Sequence, residues 1–313
     1  MNAAPVVILG SGLAGYGVAR EFRRLDKETP LMVVSRDHAG YYSKPMLSNA
    51  LAGHKTALTL VMKSAEKMAT ELNATVRDHT TVQHLDIAAQ TITLDNGETL
   101  AYRDLVLALG ADPIRLPLDG DAADAVLSVN DLDDYARFAE RLDGVKTVAI
   151  LGAGLIGCEF ANDLLARGII PTVLDLADRP LGRLLPAKAS ERMRAKLEAA
   201  GVQFRFLVAA NRVDHAGTGV RLTLNDGSML EADLVLSAIG LRPRTSIAKQ
   251  AGIAVNSGVV TNRLLATSAA RVYAVGDCAE VAGHSLPFVL PLMQQSRALG
   301  ATLASTPTPV NYP

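Results

Sequence analysis

The stretch VAILGAGLIGCEF, residues 148–160, decides how this chain folds. A β-branched apolar run leads into Gly152, Gly154 and Gly157, which have the spacing Gly-x-Gly-x-x-Gly, and a second apolar segment follows them. This pattern predicts a strand, a tight turn and a helix whose N-terminal N–H groups bind a pyrophosphate. Glu159 stands two positions after the third glycine. A carboxylate repels a phosphate, so we expect Glu159 to have another role.

The same pattern occurs near the start of the chain. The segment VVILGSGLAGYGVAREFRRLD places Gly10, Gly12 and Gly15 at the same spacing, with apolar residues at helical intervals after them. A further apolar strand sequence follows each helix, PLMVVS in the first copy and PTVLDL in the second. One glycine fingerprint is a weak indication, but two within the same strand–turn–helix–strand frame predict two dinucleotide-binding units.

A second repeated segment supports the duplication. ITLDNGETLAYRDLVLALGADP begins at Ile92, and LTLNDGSMLEADLVLSAIGLRP begins at Leu222. Each predicts a strand, an Asn/Asp–Gly hairpin turn, a buried strand and a Gly-x-x-Pro corner, at Gly110 and at Gly240. The predicted fold class is therefore α/β, with two Rossmann-like dinucleotide-binding domains.

Composition excludes several other classes of protein. The 313 residues suffice for two domains, and 49% of them are hydrophobic. A net charge of -1, no Trp and 4% aromatic residues argue against a nucleic-acid binder. No apolar run reaches the length of a membrane span, and the N-terminus lacks the basic leader of a signal peptide.

The two cysteines, Cys158 and Cys278, are too few and too far apart for a disulfide framework or a zinc site. We therefore interpret both as small buried hydrophobic residues and predict no metal site. The scarcity of cysteine, together with the missing signal peptide, predicts a cytoplasmic protein.

The strand after each helix indicates which nucleotide binds. In NAD-binding units, an acidic residue about 20 positions after the glycines binds the ribose hydroxyls. Asp175 ends the strand of the second copy at that distance, which favours NADH over NADPH, although two arginines follow nearby. In the first copy, the strand ends at Ser35, Arg36 and Asp37. The ribose contact there stays open between Asp37 and backbone groups.

A third motif resembles a flavin-binding sequence. TSAARVYAVGDCAE, residues 267–280, brings Gly276 and Asp277 to the end of a predicted strand. It resembles the second flavin fingerprint of the two-dinucleotide-binding flavoprotein disulfide reductase superfamily, which implies that Asp277 binds the ribityl hydroxyls of FAD. The Gly-x-x-Pro corners resemble the domain crossover points of that superfamily. The resemblance implies an FAD-binding domain at 1–112 plus 241–313 and an NAD-binding domain at 113–240.

The resemblance narrows at YYSKPMLSNAL, residues 41–51. With GLAGYGVAREFRRLD, GLIGCEFANDL and GDCAE, this stretch is similar to the NADH:rubredoxin reductases along essentially the whole chain. The resemblance implies hydride transfer from NADH to N5 of FAD, followed by single-electron transfer to rubredoxin or a similar small carrier. Those proteins continue into a small C-terminal domain, whereas this chain ends at TPTPVNYP, so we expect either that the chain is truncated there or that the domain is missing. The oligomeric state stays open.

The resemblance also places two charged residues at the reaction. It sets Lys44 beside flavin N5, and Glu159, on the first turn of its helix, is then the candidate carboxylate partner of this lysine. The alternative is a surface lysine and a helix-terminal glutamate stabilised by the helix dipole. Pro291 suits the first turn of a helix, whose N-terminus the resemblance directs at the flavin pyrimidine; an ordinary packing helix is the alternative.

The predicted catalytic residues are thus Lys44 and Glu159. The predicted cofactor-binding residues are Gly10, Gly12, Leu13, Ala14, Gly15, Ser35, Arg36, Asp37, Lys44, Val82, Ala108, Gly110, Gly152, Gly154, Ile156, Gly157, Glu159, Asp175, Gly240, Gly276, Asp277 and Val289.

Two other functions stay open. One is an NADH reductase of the same fold that serves a ferredoxin, a flavorubredoxin or oxygen. The other is a nucleotide-binding module that has lost electron transfer together with its C-terminal domain. Because the cysteines have the wrong spacing for a redox disulfide, electron transfer through such a disulfide, as in glutathione and thioredoxin reductases, is disfavoured.

Overall fold

The computed structural model describes residues 4–312. The ends of the predicted FAD-binding domain, residues 1–3 and 313, lie outside the described residues. The strands are β1 (Val6–Leu9), β2 (Leu31–Val34), β3 (Thr75–Arg77), β4 (Val82–Asp86), β5 (Thr91–Leu94), β6 (Thr99–Ala101), β7 (Asp104–Leu107), β8 (Ala111–Pro113), β9 (Thr147–Leu151), β10 (Ile170–Asp175), β11 (Gln203–Phe206), β12 (Ala210–Ala216), β13 (Gly219–Leu224), β14 (Met229–Ala232), β15 (Leu234–Ser237), β16 (Leu241–Pro243), β17 (Val259–Thr261), β18 (Val272–Ala274) and β19 (Ala279–Val281).

The α-helices are α1 (Leu13–Leu25), α2 (Ala57–Leu60), α3 (Ala65–Leu72), α4 (Leu132–Arg141), α5 (Leu155–Leu165), α6 (Ala187–Ala200), α7 (Ser246–Gln250) and α8 (Val289–Leu303). Short 3₁₀ helices span Lys44–Asn49, Ala123–Ala125 and Gly276–Cys278.

The chain forms two compact units. The first unit comprises Met1–Tyr42, Val61–Asp112 and Pro243–Pro313, and the second comprises Ser43–Leu60 and Pro113–Arg242.

The first unit is built on a parallel sheet with the strand order β18-β7-β1-β2-β3. Its central strand β1 is apolar and buried along its whole length, as expected for a strand covered on both faces. Helix α1 connects β1 to β2 and buries Tyr16, Val18 and Phe22 in the core of this unit. A separate antiparallel sheet, β4-β5-β6, leads from β3 to β7.

The second unit repeats this plan. Its parallel sheet has the order β11-β10-β9-β15, which matches β3-β2-β1-β7, and the antiparallel sheet β12-β13-β14 precedes β15. The two hairpin turns end in Gly97 and Gly227, whose φ angles are +84° and +83°. Such left-handed angles are the reason for the Asn/Asp–Gly pairs in the sequence. The predicted fold class and the duplication of the nucleotide-binding unit are confirmed.

The segment 43–60 groups differently from its neighbours in the chain. The resemblance assigned it to the FAD-binding domain, whereas the structure groups it with the second unit. The chain thus leaves the first unit after Tyr42 and returns to it at Val61. Hydrogen bonds between distant residues, described below, account for this placement.

The third glycine of each fingerprint has a packing role that the second glycine lacks. A Cβ atom on Gly15 would overlap with the carbonyl oxygen of Gly10, and a Cβ atom on Gly157 would overlap with that of Gly152. By contrast, a Cβ atom on Gly12 would have no heavy atom within 4 Å. The third glycine therefore lets the helix pack on its strand, and the second leaves open space at the turn.

We expect Gly15→Ala to lower the free energy of unfolding of the FAD-free protein by about 2 kcal/mol or more, because backbone atoms must move apart. The matched control Gly12→Ala should leave this free energy nearly unchanged. Urea denaturation followed by circular dichroism measures both. Equal losses for the two variants would contradict the assigned packing role of Gly15.

Candidate nucleotide-binding sites

The first candidate site lies at the carboxyl edge of the five-stranded sheet in the first unit. Gly10, Ser35, Ala108 and Val275 directly follow β1, β2, β7 and β18. Backbone hydrogen bonds between neighbouring strands hold these ends together, as from Gly10 N to Val34 O at 2.8 Å. Ligands of open parallel sheets bind at this edge. The structure brings the predicted FAD-binding residues Gly10, Ser35 and Ala108 together there.

The N-terminus of α1 is suited to a pyrophosphate. Its N-cap is Gly12, no side chain caps the helix, and its first turn contains no acidic residue. The first intrahelical hydrogen bond runs from Tyr16 N to Gly12 O, so the N–H groups of residues 13–15 have no partner within the helix. With the open space at Gly12, these features fit a phosphate group approaching the helix.

Asp37 stabilises the glycine turn of the first unit. Its Oδ1 accepts hydrogen bonds from Ser35 Oγ at 2.7 Å, from Ala39 N at 3.0 Å and from Ser11 Oγ at 3.1 Å. Burial alone would raise the pKa of Asp37, but these three hydrogen bonds outweigh it and hold the pKa below its ordinary value. Ser11 occupies a variable position of the fingerprint, so the motif did not point to it. The contact of Asp37 with a ribose stays a prediction.

Gln295 is a second residue that sequence reasoning missed. Its Oε1 accepts a hydrogen bond from Gly276 N at 2.7 Å, and its Nε2 donates to Tyr312 Oη at 2.9 Å. The side chain is buried within α8. Gln295 therefore fixes the turn that presents half-buried Asp277. Its long sequence separation from this turn left no local signal.

The remaining predicted positions of the first unit are placed as follows. Pro291 lies in the first turn of α8, as predicted, and this helix begins at exposed Val289. Val82 begins β4, and Gly110 follows β7. The Arg36 guanidinium lies 3.8 Å from a carboxylate oxygen of Asp112 on the surface.

The second candidate site is the glycine turn between β9 and α5 in the second unit. Gly154 is the N-cap of α5, with no capping side chain and open space around a Cβ atom. Asp175 ends β10, as predicted, and its carboxylate accepts hydrogen bonds from Ala153 N at 2.5 Å and from Ala177 N at 2.7 Å. Asp175 thus also supports the turn itself. Its contact with a ribose stays a prediction.

Two other predicted positions also lie at this end of the second unit. Ile156 is exposed on the first turn of α5, and Gly240 follows β15 with a φ of +122°.

Glu159 is the fifth residue of α5, so the expectation that it lies on the first turn is wrong. The helix begins at Leu155, and its first turn contains no acidic residue. Glu159 Oε2 accepts a hydrogen bond from the buried Ser48 Oγ at 2.5 Å. Ser48 belongs to the 3₁₀ helix that begins with Lys44. Glu159 therefore faces the helix that carries Lys44, while a direct pair between them stays a prediction.

Both cysteines are buried and unpaired with each other. Burial raises the pKa of Cys158 to about 11 and that of Cys278 to about 11. Their thiols donate to backbone carbonyl groups, that of Cys158 to Ala153 O and that of Cys278 to Leu107 O. The interpretation of both as small buried hydrophobic residues is confirmed. Among the described residues, no helix has the length and apolar character needed to cross a bilayer.

Two parallel sheets, each with a glycine turn at its carboxyl edge, define a protein with two dinucleotide-type units in one chain. The profile of the pyridine nucleotide-disulphide oxidoreductases matches residues 4–300. The chain belongs to this family.

Relatives within the family are similar along nearly the whole chain. The rubredoxin-NAD(+) reductase of Alcanivorax borkumensis is 51% identical over 98% of this chain and 81% of its own length. That of Acinetobacter baylyi is 47% identical over 99% and 80%. The nitric oxide reductase FlRd-NAD(+) reductase of Aeromonas salmonicida is 37% identical over 98% and 79%. The resemblance inferred from the motifs is thereby confirmed.

Solved structures show the same fold. The ferredoxin reductase for the CYP199A2 system from Rhodopseudomonas palustris has a TM-score of 0.93 at 28% identity, over 99% of this chain and 79% of its own. Putidaredoxin reductase in its covalent complex with putidaredoxin has a TM-score of 0.90 at 28% identity, over 100% of this chain and 78% of its own.

We expect the native protein to resist thiol alkylation at pH 8, because with a pKa of about 11 roughly one thiol in a thousand is ionised at that pH. Both thiols should react after denaturation in guanidinium chloride. Mass spectrometry after maleimide treatment measures the labelling. Rapid labelling of either native cysteine would show that its thiol is accessible and reactive.

Proposed function

We propose that this protein is an FAD-dependent NADH reductase that passes single electrons to rubredoxin or a similar small iron protein. The observation that carries the proposal is the presence of two open glycine turns in one chain, each at the carboxyl edge of its own parallel sheet. Each bound dinucleotide needs one such turn, so two turns support the binding of two dinucleotides. Relatives at 51% and 47% identity that are named rubredoxin-NAD(+) reductases support the choice of reaction.

We assign FAD to the first unit and NADH to the second. The first unit contains Gly276 and Asp277, which match the flavin fingerprint, and Gln295 holds Gly276 in place. The second unit contains Asp175 at the end of β10, where a carboxylate accepts ribose hydroxyls and repels the 2′-phosphate of NADPH. The N-terminus of α1 would bind the pyrophosphate of FAD, and that of α5 the pyrophosphate of NADH.

Bound FAD supplies the chemistry that converts a two-electron donor into a source of single electrons. The protein supplies charge and position. Lys44 is the residue proposed to stabilise negative charge on the reduced flavin, with Glu159 compensating its charge in the oxidised state. The N-terminus of α8, which has no acidic residue in its first turn, favours negative charge in the same way.

The cysteines support electron transfer directly from the flavin to the acceptor. Cys278 belongs to the first unit and Cys158 to the second, and both are buried thiols with raised pKa values. Disulfide exchange requires an accessible thiolate, and neither residue provides one. Unpaired cysteines are also typical of cytoplasmic proteins, so we place the reaction in the cytoplasm.

A second acceptor is favoured by a separate observation. Relatives named nitric oxide reductase FlRd-NAD(+) reductases are 33–37% identical to this chain over 95–99% of its length. A flavorubredoxin is therefore the second candidate acceptor. We place rubredoxin first because the relatives with that name are more similar in sequence.

The test begins with the purified holoprotein. It should be yellow, and NADH should bleach the flavin absorbance under anaerobic conditions. Stopped-flow mixing of the reduced protein with rubredoxin, flavorubredoxin, a ferredoxin or oxygen then compares the acceptors. Rubredoxin should be reduced fastest. A colourless protein, or one that NADH does not bleach, would overturn the reductase proposal, and faster reduction of another acceptor would replace rubredoxin.

We expect the unmodified protein to prefer NADH and Asp175→Asn to reduce that preference by about 1–2 kcal/mol, because one charge-assisted hydrogen bond is lost and repulsion is relieved. The ratio of kcat/KM for the two cofactors is the measure, since any weakening of the turn affects both alike. Asp178→Asn, an exposed acid three positions further on, is the control and should leave the ratio unchanged. Equal use of NADH and NADPH by the unmodified protein would refute the role of Asp175.

A further inference from the structure

The segment 43–60 is attached to the second unit by three sets of hydrogen bonds. Ser48 Oγ donates to Glu159 Oε2 at 2.5 Å. The backbone N–H groups of Leu51 and Ala52 donate to the carboxylate of Asp163, each at 2.8 Å. The Tyr135 hydroxyl donates to the carbonyl oxygen of Lys55 at 2.8 Å. Two of the three sets therefore end on helix α5.

Asp163 is an unusual residue for its position. It is 1% exposed and lies on the largely apolar helix α5. Among residues 4–312, no lysine, arginine or histidine forms an ion pair with it. Burial raises the pKa of its carboxyl group, and the hydrogen bonds from Ala52 and Leu51 oppose this shift. A buried carboxylate without a cation is costly, so the two N–H donors are what makes this position tolerable.

Glu159 and Asp163 lie four residues apart and thus on the same face of α5. That face packs against the segment that includes the 3₁₀ helix Lys44–Asn49. The N-terminus of α5 forms the glycine turn of the second unit. One helix therefore carries both the candidate pyrophosphate site and the two acidic side chains that hold the segment of Lys44.

We propose that Asp163 is a positioning residue for the reaction, which fixes Lys44 relative to the nucleotide turn by holding the backbone at Leu51 and Ala52 against α5. The inference rests on the proposed function, since Lys44 is the residue that would act on the reduced flavin. Asp163 would act through the segment, since its hydrogen bonds are to the backbone of Leu51 and Ala52. A shift of the segment would misplace the lysine charge while leaving the glycine turn intact.

The experiment compares Asp163→Asn with the unmodified protein, Lys44→Met and the double variant. Asn presents one acceptor oxygen instead of two, so one of the two N–H groups loses its partner. Hydrogen exchange of the amide that loses its partner, at Leu51 or at Ala52, should accelerate by about tenfold in Asp163→Asn. The rate of flavin reduction by NADH should fall by about tenfold, with FAD content and NADH affinity nearly unchanged.

The double variant decides whether Asp163 acts through Lys44. In the Lys44→Met background, Asp163→Asn should cause little further loss of rate, because there is no lysine left to position. If the rate loss of the double variant equalled the product of the two single rate losses, the proposal would be overturned. So would an unchanged rate of flavin reduction in Asp163→Asn alone.

Asp233→Asn is the control variant in the same unit. Asp233 Oδ2 accepts the backbone N–H groups of both Lys146 and Thr147, each at 2.9 Å, so the single oxygen of Asn can keep both bonds, unlike at Asp163. The variant therefore reports the cost of removing a backbone-binding carboxylate charge from this unit, and it should have no effect on the rate of flavin reduction. A rate loss in Asp233→Asn equal to that in Asp163→Asn would reduce Asp163 to a structural residue.

Asp163→Glu gives a second way to test the proposal if Asp163→Asn does not fold. It retains both acceptor oxygens and should restore part of the rate; a rate as low as that of Lys44→Met combined with normal hydrogen exchange would refute the idea. Failure of the proposed function looks different. The unmodified protein would then not be reduced by NADH, whereas failure of the positioning role leaves that reduction intact.

Discussion

The close approach of a helix to the strand before it is the constraint on which both halves of this molecule depend. At Gly15 and at Gly157, the helix lies so near the carbonyl oxygen of the first glycine that no side chain fits between them. This contact directs the N-termini of α1 and α5 at the carboxyl edges of their sheets. Each turn then combines N–H groups that have no partner within the helix with free space beside them, which is the arrangement that a pyrophosphate requires.

Much of this arrangement could be predicted from the sequence because it depends on local patterns. Glycine spacing, apolar strands and Asn/Asp–Gly turns are short-range signals, and their repetition made the duplicated fold predictable. The position of Asp175 at the end of β10 followed from the same local frame. The placement of Glu159 beyond the first turn of α5 was missed, because the exact start of a helix is set by its cap.

What could not be predicted depends on contacts between residues far apart in the chain. Gln295 with Gly276, and Asp163 with Leu51, are separated by 19 and 112 residues. An aspartate within an apolar helix reads as a polar interruption, since its partners are backbone groups that carry no sequence signature. The hydrogen bonds of Glu159 and Asp163 also explain why the segment 43–60 groups with the second unit.

The same grouping has a consequence for synthesis and folding. The chain passes between its two units four times, after residues 42, 60, 112 and 242, so neither unit is encoded by one continuous stretch. A nascent chain that has emerged as far as Tyr102 contains strands of the first unit and a loose piece of the second. The anchors of that piece on α5 emerge later, and β18 and α8 emerge later still. Folding should therefore be slow and concerted, and it should finish only after these late elements have emerged. Until then the chain is exposed to aggregation.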